Sequence, residues 1–276
     1  MKWSGRRQSD YVIDQRGNSG APRRRGSAPM GIGSLVVVAL AVFALGGDPK
    51  TILSLLANQV QESTLPSASN SRPSSAFDSE ESKGLVSVTL ADLEDKWSEI
   101  FAQNGARYTP SPLVLFRGST NTGCGYGETA SGPFYCPADG RVYLDLSFME
   151  DLMRLGGKGD FSLAYVVAHE VGHHVQTLLN PGRMRGRKSQ EESIAVELQA
   201  DCFAGVWAHY ANKERDFLEP GDIEEAIQTA SAVGDDHIQK SAGRAVSPES
   251  FTHGTSQQRM QAFTRGFRSG EIGSCS

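Results

Sequence analysis

Two histidines and a glutamate in this sequence have the spacing of a metal site. His169, Glu170 and His173 form the pattern H-E-x-x-H inside a mostly apolar stretch that Asn180 and Pro181 end. Residues four apart on an α-helix lie on one face, so both imidazoles can bind a single Zn²⁺. Glu170 projects beside the pair, where it can act on a metal-bound water. The pattern predicts zinc-dependent hydrolysis, provided that a third ligand lies elsewhere in the chain.

Glu197 is the candidate third ligand. It follows His173 by 24 residues and opens the segment ELQAD on a second predicted helix. A set of two histidines and one glutamate leaves a coordination position open for water, and we expect one zinc ion per chain. Asp201, one turn further along, can accept the free N–H of a ligating histidine. The longer pattern H-E-x-x-H-x-x-G-x-x-H fails, because Gln176 and Leu179 replace its glycine and its last histidine. The gluzincin class, with a glutamate ligand, remains.

Other polar residues are weaker candidates. His253 lies just before the last predicted helix and can serve as a donor to the developing oxyanion, or can simply cap or pack. His174 points about 100° away from His173 around the helix and is expected to be structural. Two tyrosines are minor candidates for the oxyanion role, Tyr143 and Tyr210. Two further histidines lack ligand spacing and are expected to be structural or exposed, His209 and His237.

Composition limits the class and the compartment. The chain has 276 residues, enough for one domain with appendages, and a net charge of −5 that argues against nucleic-acid binding. Its four cysteines allow three pairings. In an oxidising compartment we expect Cys124 to pair with Cys136, across a glycine-rich segment, and Cys202 with Cys275. The other two pairings, and a reduced Cys202 buried in the core, remain alternatives.

The N-terminal part of the chain predicts a membrane anchor. Residues 1–29 are polar and basic without hydrophobic periodicity, which indicates a disordered cytoplasmic tail. Residues 30–47 carry no charge and are just long enough for a transmembrane helix. The preceding arginines place the N-terminus in the cytoplasm and the remainder outside, in a single-pass inner-membrane topology. A buried helix and a cleaved signal peptide, which would give a secreted protein, are the alternatives. Residues 48–84 are interpreted as a juxtamembrane segment and a Ser/Pro-rich linker.

The folded domain, residues 85–276, is predicted to be α+β, a helix-rich zincin-like fold with a small sheet. Capping patterns begin helices at Thr89, Ser189 and Thr255, and residues 235–250 are expected to be irregular. The run 141–146 alternates enough to form a strand, and it is a candidate for the sheet edge that pairs with an extended substrate. The expected elements are helices over about 89–103, 147–155, 161–179, 189–212, 220–233 and 255–267, with strands at 113–116 and 141–146.

Several longer segments resemble one known family. The segments are MKWSGRRQS at 1–9, AHEVGHHVQ at 168–176, ELQADCFAGVWA at 197–208, GDDHIQK at 234–240 and SFTHGTSQQR at 250–259. Together they are similar to the bacterial family called "putative neutral zinc metallopeptidases", whose members are predicted to be membrane-anchored. The resemblance implies zinc ligation by His169, His173 and Glu197, with Glu170 as the catalytic residue.

Two functions follow from these patterns. The first is a membrane-anchored zinc metalloendopeptidase that acts on proteins or peptides, with Glu170 as general base. The second is a catalytically silent, zinc-stabilised module that binds envelope proteins or peptides. A purely structural zinc is usually closed by a fourth protein ligand and does not need Glu170, so the residue set favours the peptidase.

Overall fold

The helix that carries H-E-x-x-H forms as predicted and is buried along most of its length. A computed structural model of the chain describes residues 1–17, 77–182, 186 and 188–276. The described residues fold as one compact unit. Its seven α-helices are α1 Glu80–Gln103, α2 Phe148–Arg154, α3 Phe161–Leu179, α4 Gln190–Lys213, α5 Asp222–Ala232, α6 Asp235–Ser241 and α7 Ser256–Ser269. Its strands are β1 Val12–Asp14, β2 Leu113–Leu115, β3 Ser119–Thr122, β4 Gly125–Glu128, β5 Phe134–Cys136 and β6 Arg141–Leu144.

Capping chemistry sets where the long helices begin. The predicted capping boxes are present at the starts of α4 and α7, where Ser189 and Thr255 each accept from the third helical residue. The predicted start at Thr89 is wrong: α1 begins ten residues earlier, after Ser79, whose side chain accepts from the Ser82 N–H. Thr89 is fully buried inside the helix. The expected irregular stretch after Gly234 instead begins with helix α6.

The main sheet has four strands in the order β1-β2-β6-β5. Strands β1, β2 and β6 are parallel, and β5 pairs antiparallel with β6. Strand β6, predicted to be the substrate-pairing edge, therefore lies inside the sheet. Strand β5 forms the edge of the sheet on this side, because it pairs with β6 along the side of β6 that does not face β2. Strands β3 and β4 form a separate antiparallel hairpin.

Two close helix contacts position the helices that carry the candidate metal ligands. A Cβ added to Gly172 on α3 would lie 2.9 Å from the carbonyl oxygen of Ala200 on α4, so only glycine permits this approach. On the other side of α4, a Cβ on Gly266 of α7 would lie 1.9 Å from the carbonyl oxygen of Cys202. Helix α4 is thereby held between α3 and α7 at backbone contact distance.

The N-terminal residues depart from the prediction. Residues 1–17 are ordered, and β1 extends the main sheet in register with β2, from Val12 beside Leu113 to Asp14 beside Leu115. The expectation of disorder is therefore wrong for this stretch, and the folded domain does not begin at Leu85. The predicted anchor, residues 30–47, lies outside the described residues. Among the helices of the described residues, none is long and apolar enough to cross a membrane.

The cysteines pair as predicted. Cys124 bonds to Cys136 across 12 residues, and Cys202 bonds to Cys275 across 73 residues. The first bond joins the β3–β4 hairpin to the edge strand β5. The second joins the last described turn, Ile272–Cys275, to helix α4.

Candidate metal centre

Helices α3 and α4 bring the three predicted ligands together. His169 and His173 lie one turn apart on α3, with ring centroids separated by 4.8 Å. Glu197 approaches from α4: its two carboxylate oxygens lie 3.2 Å from Nε2 of His169 and 3.5 Å from Nε2 of His173. One ligand atom from each residue lies within 4.8 Å of the others, as a shared metal ion requires. The contact between Gly172 and Ala200 makes this convergence possible.

Each histidine is oriented through its other ring nitrogen. Nδ1 of His169 lies 2.8 Å from Oδ1 of Asp201, and Nδ1 of His173 lies 2.9 Å from Oε1 of Gln176. A carboxylate can only accept, so Nδ1 of His169 donates to Asp201, and Nε2 is the nitrogen left to bind a metal. The Gln176 amide donates to the carbonyl oxygen of Val196 at 2.7 Å, which turns its own oxygen toward His173. Both imidazoles therefore present Nε2 to the space beside Glu197.

Asp201 is fully buried and belongs to a wider polar network. Arg259 on α7 donates to both of its oxygens, at 2.8 and 2.9 Å, and the Tyr165 hydroxyl donates to Oδ1. Burial alone would raise the pKa of Asp201, but the charges of Arg259 and His169 outweigh it and hold that pKa at about 2. The orienting carboxylate is therefore ionised at neutral pH, and its charge is compensated inside the fold.

Glu170 lies on the same helix and faces the same cavity as the ligands. Its side chain is buried. That burial raises the pKa of Glu170 above its ordinary value, although His169 and His173 act in the opposite direction. A carboxyl group with weakened solvation at a reaction centre suits proton transfer.

The ligands open into a cavity of about 640 Å³. One wall is the edge strand β5 with the residues that lead into it, and much of the remaining lining is apolar. Cys124 brings its disulfide to the rim. The principal apolar lining residues are Pro133, Phe134, Tyr135, Phe148, Val166 and Ile238.

His253 lines this cavity from the loop before α7. Its Nδ1 lies 3.1 Å from Oδ1 of Asp235, at the start of α6. The second oxygen of Asp235 accepts from three successive backbone N–H groups, those of Thr252, His253 and Gly254, at 2.7–3.0 Å. The Asp235 carboxylate thus fixes both the loop 252–254 and the imidazole ring of His253. The hydrogen bond that His253 donates to Asp235 raises the pKa of His253, while burial works against it.

The remaining candidates lie outside the cavity lining. His174 is structural as predicted: Nε2 lies 2.6 Å from the carbonyl oxygen of Thr109, and Nδ1 lies 3.2 Å from the hydroxyl of Tyr135. His209 and His237 likewise bond to backbone carbonyl oxygens. Neither tyrosine proposed for the oxyanion role reaches the metal ligands: Tyr143 bonds to Asp139, and Tyr210 packs under Lys96.

Comparison with known proteins agrees with this geometry. Over residues 1–276 the chain matches the family described as "Putative neutral zinc metallopeptidase". The chain belongs to this family. It is 44% identical to the uncharacterized protein YpfJ of Escherichia coli K12, in an alignment that covers all of this chain and 98% of YpfJ. It is 42% identical to the uncharacterized protein Rv2575 of Mycobacterium tuberculosis over 61% of this chain and 62% of that protein. No solved structure matches the chain.

Membership in the zinc metallopeptidase family implies zinc, and the residues present fit it. In each of the two histidines, Nδ1 is hydrogen-bonded to an acceptor, so Nε2 is the nitrogen that can bind a metal. Two imidazole nitrogens and one carboxylate form a donor set that zinc prefers. Sequence reasoning missed four supporting residues: Tyr165, Gln176, Asp235 and Arg259. Three of these had a usable indication, since Gln176, Asp235 and Arg259 fall within segments that carry the family resemblance.

Proposed function

We propose that this protein is a zinc-dependent endopeptidase that hydrolyses peptide bonds in proteins or peptides, with one Zn²⁺ held by His169, His173 and Glu197. The convergence of three ligand atoms within 4.8 Å carries the proposal. It is supported by Glu170, which faces the same cavity and which a structural zinc would not need. Bound zinc supplies Lewis-acid polarisation of the scissile carbonyl and lowers the pKa of water.

Glu170 is the general base in this proposal. Its carboxylate takes a proton from the attacking water and returns it to the amine of the leaving group. Glu170 follows His169 on α3 and lines the same cavity as the three ligands. The cavity wall excludes bulk water from most of its surface, which strengthens its interaction with the reacting atoms.

The substrate lies along β5 in this proposal. The outer side of that strand carries backbone groups that an extended peptide can pair with, as a further strand of the sheet. Two residues of β5, Phe134 and Tyr135, line the cavity and place the paired peptide next to the ligands. The apolar lining favours substrates with apolar side chains near the scissile bond.

His253 is the proposed donor to the oxyanion, and Asp235 is its positioning residue. His253 lines the cavity, its side chain is 49% exposed, and Asp235 holds its Nδ1, which leaves Nε2 as the nitrogen for the proposed donor role. Removal of a single oxyanion donor costs about 10²–10³-fold in kcat. We expect that loss in His253→Ala, with zinc content unchanged.

Glu170→Gln tests the chemistry separately from metal binding. The full-length variant should retain one zinc per chain by atomic absorption, because no ligand is changed. Cleavage of an unfolded protein substrate such as casein should fall by about 10²–10⁴-fold, the range for loss of a general base. His174→Gln is a control that changes a neighbouring buried side chain outside the cavity. Equal cleavage by wild type and Glu170→Gln would overturn the mechanism, and zinc binding without cleavage by wild type would favour the non-cleaving module.

A further inference from the structure

The N-terminal segment, residues 1–17, is built into the same unit as the metal centre. Strand β1 pairs with β2, and the hydrogen bonds continue on both sides of the strand. The Ser9 N–H donates to the carbonyl oxygen of Ser87 on α1 at 3.0 Å, and the Gln15 N–H donates to that of Leu115 at 2.8 Å. Further back, the Lys2 N–H donates to the carbonyl oxygen of Phe217 at 2.8 Å. The segment therefore contacts three separate parts of the domain.

The arginines of this segment are structural. The Arg16 side chain is only 8% exposed and forms ion pairs with Asp14, Asp78 and Glu80 at 2.7, 2.9 and 2.6 Å. Arg7 donates to the carbonyl oxygen of Ala91 at 2.6 Å. Burying a guanidinium group without its carboxylates would be costly, so these contacts require the two parts of the chain to fold together.

Arg6 follows the same pattern at another site. It donates to the carbonyl oxygens of Arg215 and Asp216 at 2.9 and 2.8 Å, and its guanidinium lies 4.7 Å from the ring centroid of Phe217. Three of the basic residues in the predicted cytoplasmic tail, Arg6, Arg7 and Arg16, thus contact carbonyl oxygens, carboxylates and a ring of the domain.

Residues on the two sides of the undescribed interval lie close together. Arg16 lies two residues before the start of the undescribed interval 18–76, and Asp78 lies two residues after its end. Their side chains meet at 2.9 Å, so the two ends of the interval are adjacent on the folded domain.

We infer that residues 1–17 and 77–276 occupy the same side of any membrane that the protein touches. A chain that crossed a bilayer once between residues 17 and 77 would place β1 and β2 on opposite sides, and their pairing could not form. Any path through a membrane between these points must cross it an even number of times, zero included. The sequence-based prediction of a single crossing within residues 30–47, with the N-terminus in the cytoplasm, is the competing arrangement.

Two exposed ion pairs between the segment and the domain allow a direct test in the unmodified chain. Nζ of Lys2 lies 2.6 Å from Oδ1 of Asp216, and Nζ of Lys83 lies 2.9 Å from Oδ2 of Asp14. A membrane-permeant carbodiimide joins such an amine and carboxylate as an amide, with loss of water. The full-length protein, in the cell envelope or cytosol where it is found, is treated, digested and searched for linked peptides by mass spectrometry.

A pair within the domain provides the matched control. Nζ of Lys96 lies 2.6 Å from Oε2 of Glu214, and neither residue belongs to the N-terminal segment. We expect the Lys2–Asp216 and Asp14–Lys83 links whenever the Lys96–Glu214 link forms. Lys83→Gln should remove only the Asp14 link, which confirms its assignment. Detection of the Lys96–Glu214 link without the two links to the N-terminal segment would overturn the inference. Purified protein that lacks residues 1–17 and still forms the Lys96–Glu214 link would also overturn it.

Discussion

The side chain of Gln176 tests how the metal centre is held together. Gln176→Leu has a similar size but removes the acceptor that lies 2.9 Å from Nδ1 of His173. It also removes the donor to the carbonyl oxygen of Val196. His173 is then free to rotate or to move its proton to Nε2, the nitrogen that faces the metal position. We therefore expect zinc to bind more weakly although no ligand has changed.

The size of the loss follows from the contacts. Changing a residue that orients a ligating histidine typically lowers metal affinity by about 10–100-fold, or about 1.4–2.7 kcal/mol of binding free energy. A buried imidazole N–H without a partner adds about 1–3 kcal/mol of destabilisation to the metal-free fold. Competition with a chromogenic chelator measures the first quantity, and chemical denaturation of the metal-free protein measures the second.

Two matched variants separate orientation from general damage. Gln176→Glu keeps an acceptor for His173 but loses the donor to Val196, so its zinc affinity should fall less than that of Gln176→Leu. Gln199→Ala removes a partner of the Gln176 amide at 3.0 Å but leaves the bond to Val196, so it should have a small effect. Wild-type zinc affinity in Gln176→Leu, or an equal loss in Gln176→Leu and Gln176→Glu, would refute the orienting role.

Three further predictions follow from the same centre. Glu197→Ala leaves two protein ligands, so zinc should be lost on dialysis; full retention would remove Glu197 from the site. Arg259→Met strips the buried Asp201 of its cation and should lower the free energy of unfolding by about 3–5 kcal/mol; a loss under 1 kcal/mol in denaturant would contradict this. Peptide mapping without reductant should link Cys202 to Cys275, and replacing both with Ser should cost about 4 kcal/mol in the chain-entropy model; four free thiols in native protein would contradict the pairing.

The ligands were predictable because their signals are local. His169 and His173 share one helix, and both α4 and α7 begin at capping boxes that span only four residues. Glu197 could be found because metal chemistry demands a third ligand and the chain supplies an acidic residue on a nearby helix. Short-range patterns of this kind are set by backbone geometry and hydrogen bonding alone, so they can be recognised before the fold is known.

The parts that failed depend on distant contacts. Strand β1 has only three residues and pairs with β2 about a hundred residues later, so its sequence resembles a polar tail. The edge position of β5 depends on the order of all four strands, which alternation along one strand cannot reveal. Arg259 reaches Asp201 across 58 residues. At that separation, a buried ion pair is indistinguishable from two solvated charges in the sequence.

The pairing of Asp201 with Arg259 also constrains when the centre can be completed during synthesis. A ribosome releases this chain from residue 1 onward, so all three ligands and Glu170 leave the exit tunnel well before Arg259 does. Until α7 folds against α4, the nascent chain carries the full H-E-x-x-H motif but lacks the cation that compensates Asp201. The orienting carboxylate of His169 would be buried uncompensated, so the site assembles late. The nascent chain therefore contains all the ligands of the metal centre before it contains the contacts that position them.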